Sequence, residues 1–444
     1  MGRVLLKNVT IVNENQIFES DVLLDGEFID KIDVSISDSE AKVIDAGGKY
    51  LFPGLIDDQV HFREPGLTHK GDIASESRAA VAGGITSYME QPNTVPQTTT
   101  IDKLEEKFGR AAETSFANYS FLFGGTNDNL EEIKRLDRKA CSGIKLFLGS
   151  STGNMLVDDE EVIEKIFRNT EMVISAHCED ETTIKRNLNH YKEKFGDDIP
   201  VKYHPLIRSA EACYISSSKA IALAKKTGAR FHVFHLSTGI ETDLFHNDIP
   251  LEQKKITAEV CIHHLWFSDA DYATKGTLIK WNPAVKTAGD REKLWEALLD
   301  DRIDVIATDH APHTLQEKDN VYTQAPSGGP LVQHALPAML QKYDEGLLSL
   351  EKLVEKMCHN PATLFQIEKR GFIREGYYAD LVLVDLNDPW KVTKENIAYK
   401  CGWSPFEETI FKSKVTHTFV NGHLAYENGK FSAQRNAKRL TFNR

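Results

Sequence analysis

Residues 52–65 read F-P-G-L-I-D-D-Q-V-H-F-R-E-P, and the organisation of the whole chain can be worked out from them. The apolar run from Phe52 to Ile56, with a Pro-Gly pair inside it, is typical of the start of a buried strand. Polar residues follow at once, and the alternation of side chains along a strand places four of them on one side: Asp57, Gln59, His61 and Arg63. A solvated loop with one histidine would explain this stretch alone more simply, so the rest of the chain must decide.

Length and charge limit the classes of function. A chain of 444 residues predicts one large domain with an appendage, or two domains. A net charge of -13 argues against nucleic acid or an anionic membrane as the main partner, because either would favour a basic face. A small anionic substrate would need local cations on such an acidic protein, and we expect a homo-oligomer, a dimer.

Composition favours a cytoplasmic globular protein. Hydrophobic residues make up 41% of the chain, no apolar run approaches the roughly 20 residues of a membrane span, and the N-terminus lacks a signal-peptide core. The six cysteines have no C-x-x-C spacing, which predicts buried free thiols instead of disulfides or a thiolate metal site.

Strands and helices alternate between residue 53 and about residue 365. Helices are predicted over Asp72–Ala82, Ile101–Thr114, Glu160–Arg168, Ser209–Thr227 and Glu292–Asp300. Strands are predicted over Ile85–Met89, Tyr119–Phe123, Gly143–Leu148, Val173–His177, Arg230–His235 and Val305–Thr308. The alternation favours an α/β fold with a (β/α)₈ TIM barrel at 53–365, although an open doubly wound sheet fits the same pattern. Residues 1–52 and 366–444 are β-rich, so we expect both chain ends to form one small, β-sandwich-like domain.

Residues that bind metals or move protons stand at the ends of the predicted strands, where a barrel carries its chemistry: Lys145, His177, His235 and Asp309, with His310 and His313 close behind. Lys145 lies within the apolar run G-I-K-L-F-L, so it must be paired, neutral or chemically altered, unless it points out of the barrel. Imidazole and carboxylate ligands without thiolates suit zinc or a similar divalent ion. Such an ion lowers the pKa of bound water, and a nearby carboxylate can take up the proton.

Several motifs together resemble the dihydroorotases of the amidohydrolase superfamily. They are V-H-F-R-E-P-G-L-T-H-K-G-D-I-A-S at 60–75, A-A-V-A-G-G-I-T at 79–86 and Q-P-N-T at 91–94. The resemblance runs from Pro53 to Thr314 and returns at 400–407 and 418–424. It implies a TIM barrel with one or two zinc ions and the reversible cyclisation of N-carbamoyl-L-aspartate to L-dihydroorotate in pyrimidine synthesis.

The resemblance also implies roles for individual residues. His61 would bind the more buried metal, His177 and His235 the more exposed one, and Lys145, as an N-carboxylated lysine, would bridge both. Asp309 would bind the first metal and shuttle the proton. The substrate carboxylate would be held by Arg63, Asn93 and His313, and its ring would be contacted by Asn282 and the loop at 325–330.

The chain departs from the family pattern at two positions. Gln59 stands where the first histidine of His-x-His is usual, and an amide oxygen is a weak ligand for zinc. Lys286 stands where arginine is usual, which keeps the charge but loses the bidentate fork. Three interpretations compete: an active dihydroorotase with an altered first metal position, another cyclic-amide hydrolase of the dihydropyrimidinase or allantoinase type, and a catalytically silent barrel that serves as a structural partner. Because the other ligand and substrate positions are all present, the active enzyme is favoured.

Overall fold

The computed structural model describes residues 2–149 and 155–444, and it begins with a small β-sheet. The N-terminal strands are β1 (Arg3–Asn13), β2 (Gln16–Asp25), β3 (Phe28–Asp33), β4 (Lys42–Asp45) and β5 (Tyr50–Pro53). Strand β1 pairs antiparallel with β2 and parallel with β4 and β5. The run from Phe52 to Ile56 is therefore shared between two sheets, because β5 ends at Pro53 and the next strand begins at Leu55.

Gly54 makes this transition possible. A Cβ atom at residue 54 would lie 2.1 Å from Oγ1 of Thr86, which belongs to the neighbouring barrel strand. Only glycine therefore permits the chain to pass so close to that strand. The chain leaves the small sheet at Gly54 and enters the barrel at once.

Eight parallel strands form the barrel. They are β6 (Leu55–Val60), β7 (Ile85–Glu90), β8 (Asn118–Gly124), β9 (Gly143–Phe147), β10 (Ile174–His177), β11 (Phe231–Val233), β12 (Ile256–Cys261) and β13 (Val305–Ala307). Each strand pairs with its neighbours in chain order. A parallel bridge between Val60 and His310 closes the ring, and the amide of His61 donates a 2.6 Å hydrogen bond to the His310 carbonyl. This closure confirms the predicted TIM barrel over the open doubly wound sheet.

Helices connect the barrel strands along the chain and follow the last of them. They are α1 (Ile73–Ala82), α2 (Ile101–Thr114), α3 (Leu130–Lys134), α4 (Glu160–Arg168), α5 (Glu181–Phe195), α6 (His204–Ile207), α7 (Ala210–Thr227), α8 (Ile262–Trp266), α9 (Tyr272–Lys275), α10 (Ala288–Leu299), α11 (Leu315–Lys318), α12 (Ala335–Asp344), α13 (Leu350–Val354) and α14 (Asn360–Phe365). Among the described residues, no helix is long and apolar enough to cross a membrane.

The helix α2 shows why the sequence forms these elements. Thr100 caps its N-terminus by accepting a hydrogen bond from the Lys103 amide. Leu104, Phe108 and Ala111 recur at helical spacing and are buried against the barrel. Burying a leucine or phenylalanine side chain stabilises the fold by about 1.5–3 kcal/mol, so this stripe fixes the helix on the sheet.

The C-terminal segment returns to the small sheet. Its strands in that sheet are β14 (Leu381–Asp385), β17 (Lys414–Val420), β18 (His423–Glu427) and β19 (Lys430–Phe431), whereas β15 (Trp390–Lys391) and β16 (Ile410–Phe411) pair with each other in a separate two-stranded sheet. The order of the small sheet is β19-β18-β17-β14-β5-β1-β2-β3, with β4 on β1, so both chain ends build it as predicted. The division of the chain into domains at residues 52 and 366 stays a prediction.

Candidate active site

Ten of the residues singled out from the sequence line one cavity of about 450 Å³ at the carboxyl end of the barrel strands: Gln59, His61, Arg63, Asn93, Lys145, His177, His235, Asn282, Asp309 and His313. Part of the loop at 325–330 lines it as well, through residues 326–328. Asp57 was expected on the same side as Gln59, but it does not line the cavity. Its carboxylate is buried and accepts a 2.6 Å hydrogen bond from the Thr308 hydroxyl.

His61 and Asp309 form the first pair of donor atoms. Nδ1 of His61 lies 2.8 Å from the amide oxygen of Asn93, so it carries the hydrogen, and Nε2 is left as a lone pair. Burial lowers the pKa of His61 to about 4, which keeps the imidazole neutral. Nε2 lies 3.3 Å from Oδ1 of Asp309. Ligand atoms about 2.1 Å from a tetrahedral zinc ion are about 3.4 Å apart, so this pair fits such an ion.

His177 and His235 form the second pair. Nδ1 of His177 lies 3.0 Å from Nε2 of His235, and burial lowers the pKa of both imidazoles. The other nitrogen of His177 lies 2.8 Å from Oε2 of Glu179. A histidine that binds a metal commonly donates its second N–H to a carboxylate, which fixes the tautomer. The sequence analysis missed Glu179, although it stands only two residues after His177.

Glu179 is held in its charged form. It is fully buried and forms an ion pair with Arg208. Burial would raise the pKa of this carboxyl, but Arg208 and the hydrogen bond from His177 bring it to about 2. A carboxylate that is ionised at neutral pH therefore faces Nε2 of His177.

Lys145 is 1% exposed and lines the cavity, so the alternative of a lysine pointing out of the barrel is wrong. Its Nζ lies 4.0 Å from the ring centre of Phe234 and 4.9 Å from that of Phe147. Burial lowers the pKa of the amine to about 7. A large fraction of the amine is therefore neutral, and nucleophilic, near neutral pH.

One wall of the cavity is cationic. Arg63 is buried, donates through Nε to the Pro312 carbonyl at 3.1 Å, and places Nη2 3.0 Å from Nε2 of His313. Burial lowers the pKa of Arg63 to about 10, so it stays charged at neutral pH. Lys70, which the sequence analysis did not single out, places Nζ 3.0 Å from Nδ1 of His313 and also lines the cavity. This wall suits a carboxylate ligand.

Three cavity residues have left-handed backbones. The φ angles are 73° at Arg63, 41° at His235 and 49° at Asp309. Residues other than glycine rarely adopt such angles, which cost about 1–3 kcal/mol each and recur at functional sites. The barrel holds these side chains in place at the expense of local strain.

Gln59 and Lys286 are the two departures from the family pattern. Gln59 is 1% exposed, and its amide oxygen accepts a contact from Sγ of Cys261 at 3.6 Å. Lys286 does not line the cavity; its Nζ donates to the Ala284 carbonyl at 3.1 Å and the Ser237 hydroxyl at 3.3 Å. Only the substitution at Gln59 therefore changes the cavity wall.

Sequence comparisons place the chain among metal-dependent hydrolases. The amidohydrolase family model matches residues 50–425. The chain is 36% identical to a dihydroorotase of Halobacterium salinarum over 93% of its length and 94% of that protein. It is 34% identical to a dihydroorotase of Carboxydothermus hydrogenoformans, covering 95% of the chain and 96% of that protein.

The solved structures that resemble this chain include hydantoinases. An L-hydantoinase (dihydropyrimidinase) from Arthrobacter aurescens superposes over all of both chains with a TM-score of 0.93 and 29% identity. A dihydropyrimidinase from Brevibacillus agri superposes with a TM-score of 0.89 over all of both chains, at 23% identity. The second likeness carries the fold alone, whereas the first raises the question of which ring the cavity accepts.

Proposed function

Because this chain belongs to the amidohydrolase family, we propose that it is a dihydroorotase, which interconverts N-carbamoyl-L-aspartate and L-dihydroorotate. One observation carries the proposal: the wall formed by the cations Arg63 and Lys70, with His313 between them, lies in the same cavity as the two pairs of metal-donor atoms. Dihydroorotate carries a carboxylate beside its cyclic amide. Such a substrate needs both features at once.

The donor atoms of the cavity fit divalent metal ions, and we propose zinc, one or two ions. His61 and Asp309 would hold one, His177 and His235 the other, and Lys145, carboxylated on its neutral amine, would bridge them. When bound, such ions polarise the amide carbonyl and lower the pKa of water. Gln59 supplies only an amide oxygen at the first position, so we expect weaker binding there.

Asp309 would move the proton. In the hydrolytic direction, water adds to the ring carbonyl carbon and the ring C–N bond breaks. The carboxylate of Asp309 takes the proton from the attacking water and gives it to the leaving nitrogen. The left-handed backbone of Asp309 directs its carboxylate into the cavity, where Oδ1 lies 3.3 Å from Nε2 of His61. The carboxylate is therefore close to the position that the attacking water would take.

Arg63 would fix the substrate's orientation. Its guanidinium is buried and charged, and its Nε is already bound to the Pro312 carbonyl, so the group cannot swing freely. A charge-assisted hydrogen bond to the substrate carboxylate would hold the amide carbonyl over the metal-donor atoms. Asn93 orients His61 through Nδ1, and Asn282 would contact the ring.

Hydantoin hydrolysis is the second candidate, because of the structural likeness to the A. aurescens L-hydantoinase. Dihydrouracil and hydantoin lack the carboxylate, so neither would pair with the buried guanidinium of Arg63 in the cavity wall. We expect kcat/KM for dihydroorotate to exceed that for dihydrouracil by about 10²-fold or more.

The test is an assay of dihydroorotate, N-carbamoyl-aspartate, dihydrouracil and hydantoin with zinc and bicarbonate present. Asp309→Ala should lower turnover of dihydroorotate by at least about 10²-fold while the protein stays folded by circular dichroism. Equal turnover of dihydrouracil and dihydroorotate would favour the hydantoinase. A metal-loaded protein with no turnover of any of these substrates would favour the silent structural partner.

The expectations of a homodimer and of the cytoplasm as compartment belong to the same proposal. The resemblance to dihydroorotases supports both. Analytical ultracentrifugation would give the oligomeric state directly, and a monomer at micromolar concentration would remove that part of the proposal.

A further inference from the structure

Asp58, His232 and Glu259 form a second cluster of metal-donor side chains that the proposed reaction does not use. They come from three barrel strands, β6, β11 and β12, and all three are 0% exposed. Their donor atoms lie within 4.8 Å of one another, and none of the three lines the active-site cavity. Glu259 connects the cluster to that cavity, because its Oε1 accepts a 3.1 Å hydrogen bond from the His235 amide.

The spacing of this cluster suits an ion better than it suits direct hydrogen bonds. Nε2 of His232 lies 3.4 Å from Oδ2 of Asp58 and 3.4 Å from Oε2 of Glu259. Both distances exceed the usual 2.7–2.9 Å of a charge-assisted hydrogen bond. They equal the separation of about 3.4 Å between ligand atoms bound at about 2.1 Å to a tetrahedral zinc ion.

The hydrogen bonds of His232 also favour a bound cation. The hydroxyl oxygen of Thr257 lies 2.8 Å from Nδ1 of His232 and 3.5 Å from the Phe231 carbonyl oxygen; when the hydroxyl donates to that carbonyl, its oxygen accepts from Nδ1 of His232. In that tautomer Nε2 presents a lone pair to the two carboxylates. Both oxygens of Asp58 are buried and have no hydrogen-bond partner among the described residues. In that tautomer three acceptors face one another, and an electropositive group between them would satisfy all three.

We propose that Asp58, His232 and Glu259 form an additional, fully buried binding site for a divalent cation of the zinc type. The ion would bridge three strands of the barrel and, through Glu259, hold the strand end that carries His235. The site is separate from the cavity, and the inference does not depend on the proposed function. The alternative to a metal ion at this site is a proton on Nε2 of His232, between the two carboxylates. Burial alone lowers the pKa of His232, but Asp58 and Glu259 raise it to about 9.

Metal content separates the two occupants. We would express wild type, Asp58→Asn and His232→Gln with zinc, dialyse each against a chelator, and count ions per chain by elemental analysis. Wild type should keep one ion per chain more than either variant, because a site without solvent access releases its ion slowly. Glu76→Gln is a matched control: Glu76 is equally buried and lies 2.9 Å from Nε2 of His310, but it is a single carboxylate. It should keep the wild-type ion content.

Anomalous diffraction at the zinc edge tests the proposal without any variant, in case either substitution prevents folding. A peak between the three side chains in wild-type crystals supports it. No peak there, or equal ion content in wild type and both variants, overturns it and leaves a protonated His232 as the bridge. The result is independent of turnover: a protein inactive on dihydroorotate that shows the peak retains this inference and loses the proposed function.

Discussion

Replacing Glu179 by glutamine tests whether this buried carboxylate positions the metal-binding face of His177. The substitution keeps the size of the side chain and an acceptor for Nε2, but it removes the negative charge that lies 2.8 Å from the imidazole. Losing such an outer partner of a metal-binding histidine costs about 10–100-fold in metal affinity. We therefore expect the dissociation constant of the ion held by His177 and His235 to rise by that factor, which corresponds to about 1.4–2.8 kcal/mol.

A loss of stability accompanies this change and must be separated from it. Glu179→Gln leaves Arg208 without its buried carboxylate, and breaking a buried ion pair costs about 3–5 kcal/mol. Arg208→Gln breaks the same pair but leaves Glu179 beside His177. Both variants should therefore lose a similar free energy of unfolding, measured by chemical denaturation of the metal-free proteins.

The metal affinities then distinguish the two roles of Glu179. Competition with a chromophoric chelator should give a 10–100-fold weaker zinc affinity for Glu179→Gln and a much smaller change for Arg208→Gln. Wild-type affinity in Glu179→Gln, or an equal loss in both variants, would refute a positioning role and leave Glu179 as a partner of Arg208 alone.

Three further predictions concern the cavity itself. Arg63→Lys keeps the charge but loses the fork, so kcat/KM for dihydroorotate should fall at least about tenfold, with little change for dihydrouracil; equal losses on both substrates would contradict this. Gln59→His adds an imidazole to the cavity wall and should raise zinc stoichiometry or affinity by elemental analysis, whereas unchanged metal content would separate residue 59 from the metal. Burial lowers the pKa of Lys145 from 10.5 to about 7, so the unfolded chain binds more protons between these values. The metal-free protein should therefore gain stability as the pH rises from about 7 to 10.5, and Lys145→Met should lack this gain in denaturation experiments.

The fold was predictable from local patterns because most elements carry their own signals. The helices at 101–114 and 160–168 have the predicted ends, since each combines an N-cap with an apolar stripe. The helix predicted at 292–300 begins earlier in the structure, at Ala288, because Thr287 caps its N-terminus in a capping box with Asp290. Strand β12, T-A-E-V-C within Ile256–Cys261, was missed since Glu259 breaks its apolar run.

The site was predictable only as a set of strand ends. The topology of a barrel brings residues that are distant in the chain to one rim, and that rule alone collects His61, His177, His235 and Asp309. Contacts made by one side chain on another carry no such signal. Lys70 contacts His313 from a loop, and Asn93 contacts His61 as well as lining the cavity. Both contacts depend on how the folded chain packs, so the sequence alone does not indicate them.

The small sheet has a consequence for synthesis on the ribosome. Strand β5 leads directly into the barrel, yet its second edge is paired by β14, which is translated more than 300 residues later. Throughout that interval the nascent chain carries an unpaired, apolar strand edge, the kind of edge that recruits other chains. A chain truncated before residue 381 would keep every barrel strand and still expose this edge. We therefore expect such truncated chains to aggregate and to need chaperones, even though their barrel is complete.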